Sequence, residues 1–540
     1  MLVRYQRRAK GKLSACWLTT GGTYSNNLRQ MQSLAAFLFI ALPWLNPFSA
    51  GPQPAVPQQL FTGACVAGLL ALWGRRDPPV AQAWLAAALA SVVVGLLQYF
   101  GLTAGLEPWV NSTNMGEAFG NLRQRNQFAT LTSIGLMALL WWVGQQQLRT
   151  NGGAVESMPR VVQWLLWLAA ALLLAVGNAV SGSRTGLLQW CLVLVLLAMW
   201  WQRLPWRTLA VGVVSVALYF MAIRVMPWVL ESTTGFHATG LLGRFNEEAG
   251  CGSRRVLWGD VLHLIAQKPW WGWGWGELDY AHFITLYPGE RFCDILDNAH
   301  NLPLHLAVEL GLPLAAAVCV AGLWLVLRAR PWREADPTRQ MAWAVLAVMG
   351  LHSMLEYPLW YGPFQMAAVL CVWLLCRQPL PYLIWSNNFK YFRPLAHVST
   401  ALPAIILIAL CMGAAWDYWR VSQLYRNTAE RASGYRDNTL EKVRSSWLFQ
   451  RQVQFAELTT TPLVAHNAVQ LHDLALGLLH FSPEPRVVEK LIESAVMLGR
   501  DTEAAYYLAR YQAAFPQAHA RWAAEFRNGG GLPDHKQPLE

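Results

Sequence analysis

The sequence predicts an all-α polytopic membrane protein. It has roughly eleven transmembrane helices (range 10–13), a long outer loop and a C-terminal soluble α-helical domain. Three observations predict this. Of 540 residues, 54% are hydrophobic and only 14% charged, where a soluble chain carries about 25% charged residues. Uncharged runs of about 17–22 residues recur along the chain. Arg and Lys are also distributed unevenly among the short connections.

The expected spans are roughly 34–50, 58–74, 80–100, 127–146, 161–179, 186–201, 207–228, 303–327, 341–357, 362–377 and 398–416. With the N-terminus inside, the inner segments hold 19 Lys and Arg residues, and the short outer loops hold only Arg123, Arg125 and Arg184. By the positive-inside rule, 229–302 and everything after 417 then lie outside the cytoplasm. The expected divisions are a basic cytoplasmic N-terminus (1–33), seven spans (34–228), the outer loop (229–302), four spans (303–416) and the helical tail (417–540). Residues 1–30 are basic and polar with no apolar h-region, so the first span is expected to act as an uncleaved anchor. The net charge of +11 is spread over short loops and does not indicate a nucleic-acid partner.

Six cysteines lie within spans, where a thiol is a small apolar filler. Cys251 and Cys293 lie in the outer loop, in a compartment that permits a disulfide. A bridge would tie the segment before Arg254 to the segment before His300; the alternative is two free buried thiols.

Arg255 to Ile265 has a helical apolar period and leads into Pro269-Trp270-Trp271-Gly272-Trp273-Gly274-Trp275-Gly276. Glycine there lets the backbone turn or approach closely. The tryptophans read either as an interfacial belt or as flat faces for sugar rings or a polyprenyl chain. The tail shows apolar positions at i, i+3 and i+4, with breaks at Pro483, Pro485, Gly499 and Pro516. It predicts antiparallel helix pairs, and Arg500 to Pro516 resembles a tetratricopeptide helix.

The chemistry-bearing residues gather at outer span ends. His300 stands where a polar loop becomes an apolar helix, and an imidazole exchanges protons near neutral pH. Asn301 suits the helix cap and Pro303 its first turn. Asp297 is placed to orient the ring. His300 and His305 are five apart and do not share a helix face, so no metal site is expected; Glu309 is the natural partner of His305. Arg184 opens the sixth span, and a guanidinium offers the planar fork that grips phosphate oxygens. Arg254 and Arg255 precede Trp258, with Arg244 and Arg291 as further candidates. Arg123, Gln124, Arg125, Asn126 and Gln127 form a polar cluster at the mouth of the fourth span. Glu356, beside Tyr357, is a carboxylate at a span end, and an outer arginine is its expected partner.

These residues resemble a family. His300-Asn301, nine residues and then Gly311 look like the signature of the bacterial O-antigen ligase and polymerase superfamily. Ser181-Gly182-Ser183-Arg184-Thr185-Gly186 is similar to its arginine motif, and Arg254 through the Trp/Gly run to its loop helix. Leu122 to Gln127, and Glu356-Tyr357-Pro358 ahead of a soluble domain, look more like the protein O-oligosaccharyltransferase branch that glycosylates pilins. The chain departs from the pattern at Leu314 and at Arg125, where many members have a small residue and Pro.

The resemblance implies a multi-pass protein of the bacterial inner membrane whose active site faces the periplasm. It implies transfer of a preassembled glycan from undecaprenyl pyrophosphate to Ser or Thr hydroxyls of a protein such as a type IV pilin. No cofactor or metal is implied. His300 is the expected base, with Arg184 and Arg254 on the pyrophosphate. Arg255, Arg123, Arg125 and Asn301 are further donor-binding candidates; Asp297, Gln127, Glu356 and Tyr357 support. Ligation to lipid A–core and polymerisation of O-antigen share this donor chemistry. A lipid-linked glycan flippase is the reading of another class, but the seven-plus-four division and the outer clustering of charge speak against it.

Overall fold

The computed structural model describes residues 30–48, 51–72, 78–152, 158–238, 250–377 and 400–527, with isolated positions 27, 240, 241 and 243. The basic segment before residue 27, Arg244 and the last dozen residues lie outside that set. Among the described residues every regular element is helical.

The first half contains α1 (Gln30–Leu45), α2 (Ala55–Leu72), α3 (Val80–Tyr99), α4 (Arg125–Asn151), α5 (Arg160–Val180), α6 (Arg184–Met199) and α7 (Trp206–Thr234). α4 is the central post, buried along most of its length and packed against α3, α5, α6, α7 and the later helix Pro337–Ser353. Its buried hydroxyls need partners in an apolar setting. Asn178 of α5 donates to Thr132 Oγ1 at 2.8 Å, Gln189 of α6 to Thr130 Oγ1 at 2.8 Å, and Thr130 meets His352 Nδ1 at 2.9 Å. These bonds fix the rotation of four helices about one axis.

The second half contains α8 (Arg254–Gln267), α9 (Leu278–Ile284), α10 (Leu302–Leu310), α11 (Leu312–Ala329), α12 (Pro337–Ser353), α13 (Gly362–Cys376) and α14 (Ala401–Ser422). Among the described residues seven helices are long and apolar enough to cross a membrane: α2, α3, α4, α5, α7, α11 and α14; α1, α6 and α13 are shorter and apolar. The chain is consistent with a multi-pass membrane protein. Most boundaries shift by a few residues from expectation, and three differences bear on the site. α7 runs on to Thr234, past the expected 228. The expected ninth span, 341–357, stops at Ser353 and leaves Glu356 in a turn. The expected eighth span, 303–327, is two helices broken at Gly311, whose φ is +85°.

That break has a physical cause. The Trp/Gly run lies directly on it: Trp273 N donates to Val308 O at 2.8 Å, Gly274 N to Glu309 O at 2.9 Å, and Leu312 N to Pro269 O at 2.8 Å. A Cβ at Gly272 would sit 2.3 Å from Glu309 O, and one at Gly311 only 2.2 Å from Trp270 O. Backbone touches backbone at this seam, so only glycine fits on both sides. α11 then leaves the body of the protein, and of its residues only Ala315 is buried. Its far end is held where Trp200 Nε1 donates to Pro331 O at 2.8 Å.

The outer loop has its own core, in which Leu257, Val261 and Leu264 of α8 meet Leu296, Ala299 and Val308. Cys251 and Cys293 are joined as a disulfide across 42 residues. The tail comprises α15 (Thr439–Val443), α16 (Gln450–Thr460), α17 (Ala468–Leu478), α18 (Pro485–Met497), α19 (Asp501–Ala514) and α20 (Pro516–Arg527). Pro485 and Pro516 begin helices and Gly499 turns between two, where the sequence placed breaks. Phe283 of α9 is buried within the tail's core. Arg510 Nε donates to Ile284 O at 2.8 Å, and His480 Nδ1 lies 2.6 Å from Glu277 Oε2 with its ring stacked on Tyr280.

Candidate active site

Four helices begin at one place, and three of them, α4, α6 and α8, open with an arginine: Arg125, Arg184 and Arg254. The fourth, α10, follows His300-Asn301. A helix N-terminus carries partial positive charge, so a basic residue there opposes the helix by about 0.3–1 kcal/mol. Arginine at three such positions is therefore not chosen for helix stability. An anion is what relieves both the guanidinium groups and the free amides.

Glu356 is the centre of the arrangement. One carboxylate oxygen accepts from Arg254 at 2.7 Å and from Asn126 Nδ2 at 3.1 Å. The other lies 2.8 Å from His300 Nδ1 and accepts from Gln124 Nε2 at 3.3 Å. Asn126 Oδ1 in turn accepts from Ser183 Oγ at 2.6 Å, the hydroxyl that caps α6 immediately before Arg184. The starts of α4, α6, α8 and α10 are thus tied into one hydrogen-bonded unit. Burial opposes ionisation of Glu356, but the hydrogen bond and charge of His300, then Arg254, hold its carboxyl below the usual carboxylate range.

His300 has φ +50°, a left-handed conformation that few residues with a Cβ adopt. Its neighbours enforce it. His300 N donates to Asn298 Oδ1 at 2.9 Å, Trp258 Nε1 donates to Ala299 O at 3.1 Å, and Asn301 caps α10 through Leu304 N at 3.1 Å. The Tyr357 ring meets the imidazole edge-on at 5.1 Å. With Nδ1–H donating to Glu356, Nε2 is left as the basic nitrogen. The His300 side chain is 26% exposed, enough for a reactant to reach it.

Several expected residues have other tasks. The carboxylate bonded to His300 is Glu356 rather than Asp297, because the turn after α12 brings Glu356 under the ring. Asp297 stays close, its carboxyl raised by burial. Arg125 pairs with Glu117 at 3.0 Å, so its charge is already met. Asn301 uses its oxygen on the cap and its amide on Met354 O at 3.0 Å. Arg255 and Arg123 are exposed, and the Gln127 side chain is buried beside Tyr361. Arg291 is bound within the loop to Thr285 O. His305 and Glu309 face each other at 3.5 Å, as expected. Sequence reasoning missed the bridging role of Asn126 and Ser183. A Ser three residues ahead of Gly186 at a helix start was the available signal.

Comparison with known proteins points to one group of membrane enzymes. Residues 169–319 match the family described as O-antigen ligase, and residues 340–528 match the C-terminal part of a virulence factor membrane-bound polymerase. Residues 118–143 match a protein glycosylation ligase. The chain resembles the O-antigen ligase and polymerase superfamily. Within it, the likeness is to the O-oligosaccharyltransferase branch. A general O-oligosaccharyltransferase of Acinetobacter baylyi is 24% identical over 357 residues, 63% of this chain and 56% of the relative. A ComP-specific O-oligosaccharyltransferase of the same organism is 22% identical over 283 residues, 52% and 47% of the two chains. The chain spans about half the length of the curated relatives it matches.

Proposed function

We propose that this protein transfers a preassembled oligosaccharide from undecaprenyl pyrophosphate to Ser or Thr hydroxyls of proteins outside the cytoplasm, pilins among them. The observation that carries the reading is the His300–Glu356–Arg254 bridge set among four helix N-termini. A lipid donor requires a site at a membrane surface, and the Lys/Arg asymmetry of the short connections supports one on the non-cytoplasmic side.

His300 Nε2 takes the proton of the acceptor hydroxyl, whose oxygen attacks the anomeric carbon from the face opposite the pyrophosphate. The carbon–oxygen bond to the pyrophosphate breaks, and the configuration inverts. Arg184 and the donors of Arg254 not engaged by Glu356 hold the charge that develops on the leaving group. Glu356 fixes the tautomer and faces the imidazolium that forms. Arg255 and Arg123 extend the basic rim. The arginines supply the charge that a metal would otherwise bring. A soluble tail fits a protein acceptor, since a lipid acceptor is already held at the membrane.

The test is glycan transfer in membranes carrying His300→Ala. Transfer to protein is expected to vanish with protein level unchanged, a loss on the order of 10²–10⁴ or more for a missing base. Near-normal transfer removes His300 from the mechanism. Unchanged proteins with altered lipopolysaccharide would favour ligation to lipid A–core.

A further inference from the structure

A cleft of about 600 Å³ lies between the turn that enters α2 and the tail. It is lined by Gln53 of that turn, Tyr425 and Arg426 just past α14, Gln452 of α16, and Phe481 and Ser482 after α17. Ligand sites are commonly of this size and commonly lie between domains. The Tyr425 hydroxyl donates to Gln452 O at 2.7 Å, which fixes its ring as a flat wall. Arg486, also on the wall, is paired with Glu484 at 3.2 Å and lies over Phe455. Arg426 differs. It is exposed, and among the described residues no carboxylate lies within salt-bridge distance of it.

We propose that this cleft binds an acidic, extended segment of the acceptor polypeptide. Arg426 grips a carboxylate, the amides of Gln53 and Gln452 serve the peptide backbone, and Tyr425 and Phe481 flank its side chains. The inference rests on the protein-acceptor reading above. The chemistry favours a polypeptide over a membrane surface. Headgroup sites gather about four to eight basic residues, whereas here one of two guanidinium groups is already neutralised. Amide, hydroxyl and aromatic groups around a single open guanidinium suit a peptide carrying a carboxylate.

Placement agrees. Ser482 and Phe481 follow His480, which is bonded to Glu277 just past the Trp/Gly run. On the other side, Gln59 lies on α2 beyond Gln53 and donates to Trp360 O at 2.8 Å. Trp360 is 6.5 Å from Tyr357, which is 5.1 Å from His300. The route from cleft to imidazole is roughly 20–30 Å, which about six to nine extended residues cover. A segment held in the cleft therefore presents a hydroxyl a short distance along the same chain to Nε2.

The experiment uses the full-length protein in vesicles with a polyprenyl-pyrophosphate-linked glycan. Two synthetic Ser-bearing peptides are compared, one with Asp and Glu about seven residues from the Ser, the other with Asn and Gln there. The acidic peptide is expected to show a KM about fivefold to tenfold lower. Arg426→Ala should erase that difference by raising the acidic peptide's KM, with kcat and the neutral peptide unchanged. Arg426→Glu should shift preference to a Lys-bearing peptide. A preference that survives both substitutions, or equal use of both peptides by the wild type, overturns the cleft and leaves the protein-acceptor reading intact. A rise in the donor's KM instead assigns the cleft to the glycan and overturns it as well. Transfer to neither peptide, with transfer to lipid A–core, overturns both.

Discussion

Glu356 decides how the site responds to pH and to mutation. Its carboxyl is held below the ordinary carboxylate range in the folded protein. A depressed acid contributes stability above its unfolded pKa and loses it as pH falls through the folded value. The bridge between Arg254 and His300 should therefore stay intact through neutral pH and down past about 4, the unfolded glutamate value. Glu356→Gln keeps the shape and removes the charge. It is expected to lower kcat on the order of 10²–10⁴ and also to lower the unfolding temperature, because the ionised carboxylate contributes stability, measured as transfer rate beside thermal unfolding in detergent. An unchanged rate would mean that the carboxylate only positions helices. The sequence marked His300, Arg184, Arg254 and Glu356 as special because charge at a span end is costly without a use. It offered Asp297 as the ring's partner because that carboxylate stands only three positions before it. The actual partner is 56 positions away, and only the fold brings it in.

Among elements, the seam between the Trp/Gly run and the broken helix is the most exacting. Gly311→Ala places a Cβ against Trp270 O and forces an L-residue to φ +85°. The backbone term alone costs about 1–3 kcal/mol, and the collision adds to it. A lowered unfolding temperature and reduced transfer are expected, with unfolding followed by Trp fluorescence; a stability equal to wild type would show that the seam yields. The Gly alternation was legible as a request for close backbone approach. Its target was not, because an apolar run such as 303–327 reads as one uninterrupted span to any hydropathy argument. The left-handed residue at 311 was visible only as a motif glycine.

Across the whole molecule, hydropathy marked where the apolar helices lie, and the helical tail was legible from its period and its Pro and Gly breaks. How the tail attaches was not. Phe283 reads as part of a polar loop, yet it completes a core built from residues about two hundred positions later. Arg510 fastens that joint through Ile284 O. Arg510→Ala is expected to lower hydrogen-exchange protection at the amides of α9 and of the start of α19, leaving α4 unchanged. Equal protection in α9 would show that apolar packing alone holds the tail.

Among the described residues, α11 touches the rest of the protein chiefly at its two ends, and almost nothing covers its middle. Its 18 residues rise about 27 Å, close to the roughly 30 Å hydrocarbon depth of a bilayer. A helix flanked by neighbours takes its tilt from them, whereas α11, unflanked among the described residues, would take it from the lipid if it spans a bilayer. If α11 spans a bilayer, thinner or thicker membranes would load the Gly311 seam, and acyl-chain length would act as a mechanical variable one helix away from the imidazole.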